Sequence, residues 1–257
     1  GEHIFRFRGP KTPAQNILYP DGSMGVLFAP HNRVSQLGYD KTILYKPNEF
    51  TYMHFSIDGK ILDSIDFECP VNSWKPEYFE FKDGSLYLAG PGSKVDPAKY
   101  HWELLNKNDH MVIMKITNGK IDYITATPAN AFVGKVVKPA TQKEPFTFTG
   151  SDFAHVEFRV HKSGDLLMVG QIIKGGKPLD FMLMQFDPQG QLKAQYTIKN
   201  ENPFAGDLRL FDNPDGKTIT WMITESRKVI PETKRKFQYL RIATIDPAAI
   251  TISDVSN

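Results

Sequence analysis

Five carboxylates sit inside segments that read as β-strands: Asp63, Asp66, Glu80, Asp122 and Glu157. Cleavage of a glycosidic bond needs two such acids, one giving a proton and the other serving as base or nucleophile. Glu80 and Glu157 stand at comparable places, each in the first strand of a unit and two residues from an aromatic or apolar neighbour. They form the candidate catalytic pair. Other chemistries find less in the sequence. There is no Gly-x-Ser-x-Gly. Cys69 lies beside Pro70 at a strand end with no activating neighbour, the setting of a buried thiol. None of the seven histidines belongs to a His-Glu-x-x-His, and the spacing of His101 and His110 has no metal-ligand logic. No helix pattern follows Gly175-Gly176, so that pair is not a phosphate loop. The reading is therefore no metal and no cofactor.

The elements that must hold these residues are strands and tight turns. In Phe181–Tyr196, apolar and polar residues alternate through Met184, Gln185 and Phe186, then Asp187-Pro188-Gln189-Gly190 closes a turn. The same hairpin recurs. Asp21-Gly22, Asp58-Gly59, Asp83-Gly84, Asn118-Gly119, Ser163-Gly164 and Asp215-Gly216 each separate two strand-like runs, and Asp246-Pro247 is a variant turn. The hairpins come in pairs joined by a longer segment, which gives units near 14–67, 76–127, 155–198 and 206–255. Their third strands align on Met53-His54-Phe55, Met114-Lys115-Ile116, Met184-Gln185-Phe186 and Leu240-Arg241-Ile242, apolar residues around a polar one. Helix is scarce, with one turn expected at Tyr100–Asn106.

Repeated four-stranded units of this kind resemble β-propeller repeats. The resemblance spans most of the chain and rests on pattern. There is no Trp-Asp dipeptide and no kelch Gly-Gly pattern, and the segment Asp215–Trp221 departs from a sialidase-type Asp box because Asp and Gly are adjacent. Phe5-Arg6-Phe7-Arg8-Gly9 resembles Phe146-Thr147-Phe148-Thr149-Gly150, as if a two-blade half were duplicated. Segments 1–9 and 129–150 could supply a further blade, with the N-terminal strand closing the ring. The expected fold is thus all-β, a single propeller domain over 1–257 with about five blades. A β-sandwich is the alternative.

Such a topology sorts the loops. The first and third turns of each unit are tight, so they share one face, and the long segments share the other. Binding residues concentrate on loops held by a rigid scaffold. The candidate binding set on the long-loop face is His31, Arg33, Tyr100, His101, Trp102, Arg227 and Lys228. This basic and aromatic set suits a glycan or a protein surface.

Composition narrows the partners. The 257 residues are 40% hydrophobic and 23% charged, with a net charge of +2. That charge does not point to nucleic acid. No apolar run approaches a transmembrane helix. The single cysteine excludes an internal disulfide. The chain starts at Gly1 rather than Met, which leans towards an exported, extracytoplasmic protein. The first expectation is a non-catalytic binding or scaffold propeller that recognises a protein or glycan through its long loops. The alternative is a propeller-type carbohydrate hydrolase or lyase using paired carboxylates. Convergent carboxylates in one pocket would mark the enzyme.

Overall fold

A computed structural model describes residues 11–30, 48–94, 109–132, 153–174, 177–198, 206–226, 238–248 and 251–255. Its regular structure is strand apart from a 3-10 turn at Ala129–Phe132. The chain divides into two compact units, Gly1–Ala126 and Thr127–Asn257. Four antiparallel sheets are described, two belonging to each unit. The fold class is all-β, built from four-stranded antiparallel blades.

In the first unit, β1 (Lys11–Leu18), β2 (Met24–Pro30), β3 (Glu49–Phe55) and β4 (Ile61–Glu68) form a meander in the order β1-β2-β3-β4. Gly22 and Gly59 take φ of 84° and 80° and close its two tight turns. Register decides which side chains meet. Ile17, Gly25, His54 and Asp63 form one cross-strand row, and Leu27, Tyr52 and Ile65 stand opposite one another in the next row on that face. This face packs on the second sheet: Ile17, Leu27, Phe50 and Tyr52 share a core with Leu86, Leu88, Val112 and Met114. Each such fully buried side chain contributes about 1.5–3 kcal/mol.

That second sheet holds β5 (Ser73–Trp74), β6 (Tyr78–Lys82), β7 (Ser85–Ser93), β8 (His110–Thr117) and β9 (Lys120–Pro128). Its turns, Asp83-Gly84 and Asn118-Gly119, have both central residues at positive φ, 49° and 74°, then 50° and 69°. This is the twist that suits a two-residue hairpin. β5 is an addition that the sequence pattern does not reveal, since two residues carry no periodicity. It pairs with the far end of β7, and a Cβ on Gly90 would stand 1.8 Å from the Lys75 carbonyl oxygen. Every residue of β7 is buried.

The second unit repeats the plan with β10 (Phe153–Val160), β11 (Leu166–Lys174), β12 (Lys177–Phe186) and β13 (Leu192–Ile198), then β14 (Gly206–Asp212), β15 (Ile219–Ser226), β16 (Gln238–Asp246) and β17 (Thr251–Val255). Leu167, Val169, Phe181 and Leu183 pack on Leu208, Leu210, Trp221 and Ala243. Phe181 and Trp221 meet edge to face with centroids 5.5 Å apart. Gln185 donates to the Pro247 carbonyl at 2.8 Å, and Arg159 to the Leu210 carbonyl at 2.9 Å.

Register corrects one alignment. Phe55, Phe186 and Ile245 each face the first residue of the strand they share with the preceding hairpin: Met24, Leu166 and Ile219. The fourth third-strand core is therefore Ala243-Thr244-Ile245, not Leu240-Arg241-Ile242. The segment repeats apolar-polar-apolar with a period of three, so its pattern alone fits both placements.

Candidate functional site

The candidate binding residues His31, Arg33, Tyr100, His101, Trp102, Arg227 and Lys228 all lie outside the described residues. His110, which shares a sequence segment with His101, opens β8, is buried, and has Nδ1 2.7 Å from Asp109 Oδ1. The two candidate carboxylates belong to different units. Glu80 lies in β6 opposite Tyr87 and is half-buried. Glu157 lies in β10, where Arg209 of β14 donates to it at 2.5 Å. That ion pair joins the two sheets of the second unit.

A different group converges in the first unit. It occupies the turn end of the face that packs on the second sheet. Tyr19 follows β1, Ser23 ends the first turn, His54 is the polar residue of the β3 core, and Asp63 lies opposite it in β4. Tyr19 stacks on His54 with ring centroids 4.2 Å apart, and its ring also meets Phe81 of β6 at 4.4 Å. The hydroxyls of Tyr19 and Tyr52 hydrogen-bond to each other. Gly25 makes room for both phenols: a Cβ there would stand 2.6 Å from the Tyr52 hydroxyl and 3.2 Å from the Tyr19 ring.

Proton accounting assigns the roles. Ser23 has one hydroxyl proton. Asp21 Oδ1 lies 2.6 Å from Ser23 Oγ and 2.9 Å from the Ser23 amide nitrogen, and a carboxylate only accepts. The hydroxyl proton goes to Asp21, so His54 Nε2, 2.7 Å from Ser23 Oγ, is the donor to that oxygen. The other ring nitrogen, Nδ1, faces Asp63 Oδ2 at 3.8 Å. Ser23 is thus spoken for and is no nucleophile. His54 Nδ1 is left facing the Asp63 carboxylate.

The electrostatics follow from the same contacts. The bonds from Ser23, side chain first and then backbone, hold the Asp21 carboxyl below its usual range, and His54 adds to this. Burial raises the Tyr19 hydroxyl above its ordinary value, only partly offset by the Tyr52 bond, and burial raises Tyr52 further still. Both phenols therefore keep their protons, and within their mutual bond one donates and the other accepts. The His54 side chain is 16% exposed and that of Asp63 45%, so the cluster opens to solvent on the Asp63 side. It holds an imidazole, neutral phenols and two carboxylates, side chains able to give and take protons.

The corresponding positions of two other sheets hold closed networks. In the second sheet, Lys115 pairs with Asp122 at 3.1 Å and sits 5.5 Å from the Tyr87 ring centroid. Burial works against its charge, but Asp122 and Tyr87 outweigh this and raise the ammonium above its ordinary value. In the third sheet, Gln185 donates to buried Asp165 at 2.8 Å, and Lys193 reaches the same carboxylate at 3.1 Å. Among the described residues of these three positions, His54 is the imidazole. No group of three or more metal-ligating side chains occurs among the described residues, and no described helix is long and apolar enough to cross a membrane.

The sequence reading missed this cluster. Its one visible signal was a histidine at the polar place of a repeated apolar-polar-apolar core, with a glycine inside the neighbouring strand.

No family model matches the chain, and no curated protein does. Solved structures are similar to it in fold. An endo-1,4-beta-xylanase from Bacteroides thetaiotaomicron is 10% identical, with 95% of this chain and 71% of that one covered and a TM-score of 0.37. A beta-1,3-galactosidase with bound galactodeoxynojirimycin is 10% identical over 93% of this chain and 73% of its own, with a TM-score of 0.43. An ulvan lyase is 10% identical over 95% and 57%, also with a TM-score of 0.43. The expectation of a non-catalytic binding or scaffold propeller is corrected: the three similar structures just named are two carbohydrate hydrolases and a lyase.

Proposed function

We propose that the protein is a propeller-type carbohydrate hydrolase or lyase that acts on a glycan outside the cytoplasm, with both units forming one propeller domain. The observation that carries this reading is the convergence of His54, Asp63, Asp21 and the Tyr19–Tyr52 phenols in the first unit. His54 Nδ1 takes a proton, Asp63 stabilises the imidazolium, and a neutral phenol supplies a donor. Acid–base catalysis of this kind contributes about 10²–10⁴-fold. The substrate class is that of the alternative read in the sequence, where strand-borne carboxylates suit glycosidic bonds.

The test is turnover on a panel of neutral and uronate-containing polysaccharides. New reducing ends without an unsaturated product mark a hydrolase, and ultraviolet absorbance of an unsaturated uronate marks a lyase. His54→Gln, which places at this position the amide that Gln185 provides in the third sheet, should lower turnover about 10²-fold or more while the chain stays folded. Wild-type inactivity on the whole panel, or full activity of the variant, overturns the proposal.

A further inference from the structure

The Asp63 carboxylate does not stand free beside His54. It lies on the turn between β8 and β9 of the neighbouring sheet in the same unit. A Cβ placed on Gly119 would be 2.6 Å from both Asp63 Cγ and Oδ1 and 2.8 Å from Oδ2. Atoms in contact need about 3.5–4.0 Å. The carboxylate therefore fills the volume that any other residue at 119 would claim. From this we infer that Gly119 is a positioning residue for the acid–base centre, seating the carboxylate against which His54 Nδ1 works; the inference rests on the functional reading above.

Two observations support it. In the second unit the last turn of the next sheet is met by a neutral group. There Gln185, in the same third-strand position as His54, donates at 2.8 Å to the carbonyl of Pro247 in the last turn of the next sheet. The last turn of the next sheet is thus met in both units, by the third-strand Gln185 in one and by the ionisable fourth-strand Asp63 in the other. The other tight turn of the second sheet supplies the contrast. Asp83-Gly84 has nearly the same backbone as Asn118-Gly119, yet a Cβ on Gly84 would meet nothing within 4 Å. Positive φ explains glycine at 84. At 119 the seat for Asp63 is a second, separate requirement.

Gly84 is therefore the internal control. Asparagine tolerates positive φ, so Gly119→Asn and Gly84→Asn carry similar backbone strain, and only the first adds a Cβ beneath Asp63. In the full-length chain, NMR should show the Asp63 carboxyl and the His54 ring resonances displaced in Gly119→Asn and unmoved in Gly84→Asn. If the chain turns over a glycan, Gly119→Asn should lower kcat about tenfold or more with little change in KM, the pattern of a misplaced catalytic group, and should alter the pH profile. Should Gly119→Asn fold poorly, Asp63→Ala must rescue it, bringing its loss of Tm down to that of Gly84→Asn. Unmoved resonances in a folded Gly119→Asn, or an excess loss of Tm that persists in the Asp63→Ala background, overturns the inference. Displaced resonances in a chain inactive on every glycan uphold the seat and remove the carbohydrate reading.

Discussion

The ring of Tyr19 lies over that of His54 with centroids 4.2 Å apart and planes 23° from parallel. Tyr19 also shares a hydroxyl hydrogen bond with buried Tyr52. The two interactions separate by mutation. Tyr19→Phe keeps the stack but leaves the Tyr52 hydroxyl unpaired, a cost of about 1–3 kcal/mol. Tyr19→Leu also removes the aromatic contact, worth about 0.5–1.5 kcal/mol more. Chemical denaturation should rank wild type above Tyr19→Phe above Tyr19→Leu. Equal midpoints for the two variants would show that the stack contributes nothing.

Gly25 is held by space rather than by φ. Adding one methyl group in Gly25→Ala drives a Cβ towards the Tyr52 hydroxyl at 2.6 Å. Overpacking of this kind costs about 1–3 kcal/mol. Tyr52→Phe removes the nearest atom, so the double variant should lose less than the sum of the two single changes. Strict additivity in a double-mutant cycle would place the strain elsewhere.

Acid should unfasten the Asp215 turn. Its carboxyl accepts the amides of Thr218 and Lys217 and the Thr218 hydroxyl, and these bonds lower its pKa from 3.8 to about 2. The folded pKa is depressed, so the stability it contributes is present above 3.8 and is lost as pH falls through about 2. The Tm difference between wild type and Asp215→Ala should be flat from neutral pH down to about 4 and shrink below it. A difference that does not change across that window contradicts the role given to these bonds.

Cys69 should be silent in the native protein. It is buried, and burial pushes its thiol up to about 12, with a small opposing effect from the Val71 amide. Thiolate is the reactive form. Alkylation at mildly alkaline pH should be slow in the folded chain and reach the rate of a free thiol in denaturant. Fast native labelling would mean that the segment after β4 opens.

Much of the fold was legible because glycine turns and period-two alternation are local. Asp21-Gly22 and Asn118-Gly119 announce their hairpins from two residues. What failed was whatever depends on register. Leu240-Arg241-Ile242 and Ala243-Thr244-Ile245 have the same pattern, and only the pairing of Ile245 with Ile219 tells them apart. The site was hidden for the same reason. His54 meets Asp63 because Phe55 pairs with Ile61 and the register slips by one residue past Leu62. Glu157 stood out as a strand carboxylate, but its Arg209 partner is 52 residues away and leaves no local trace.

The crossing of Lys75 over Gly90 also says where the chain can be rebuilt. With the Lys75 carbonyl 1.8 Å from where a side chain would begin, and β7 buried along its whole length, β7 leaves no space for inserted residues, whereas the Asp83-Gly84 tip before it does. That tip, and the one at Asp58-Gly59, have nothing within 4 Å of the glycine Cβ direction, and Ile57 beside the latter is 83% exposed. A fluorescent reporter or an affinity tag spliced into either hairpin would stand clear of the packed sheets, making these the natural handles for turning the protein into a sensor.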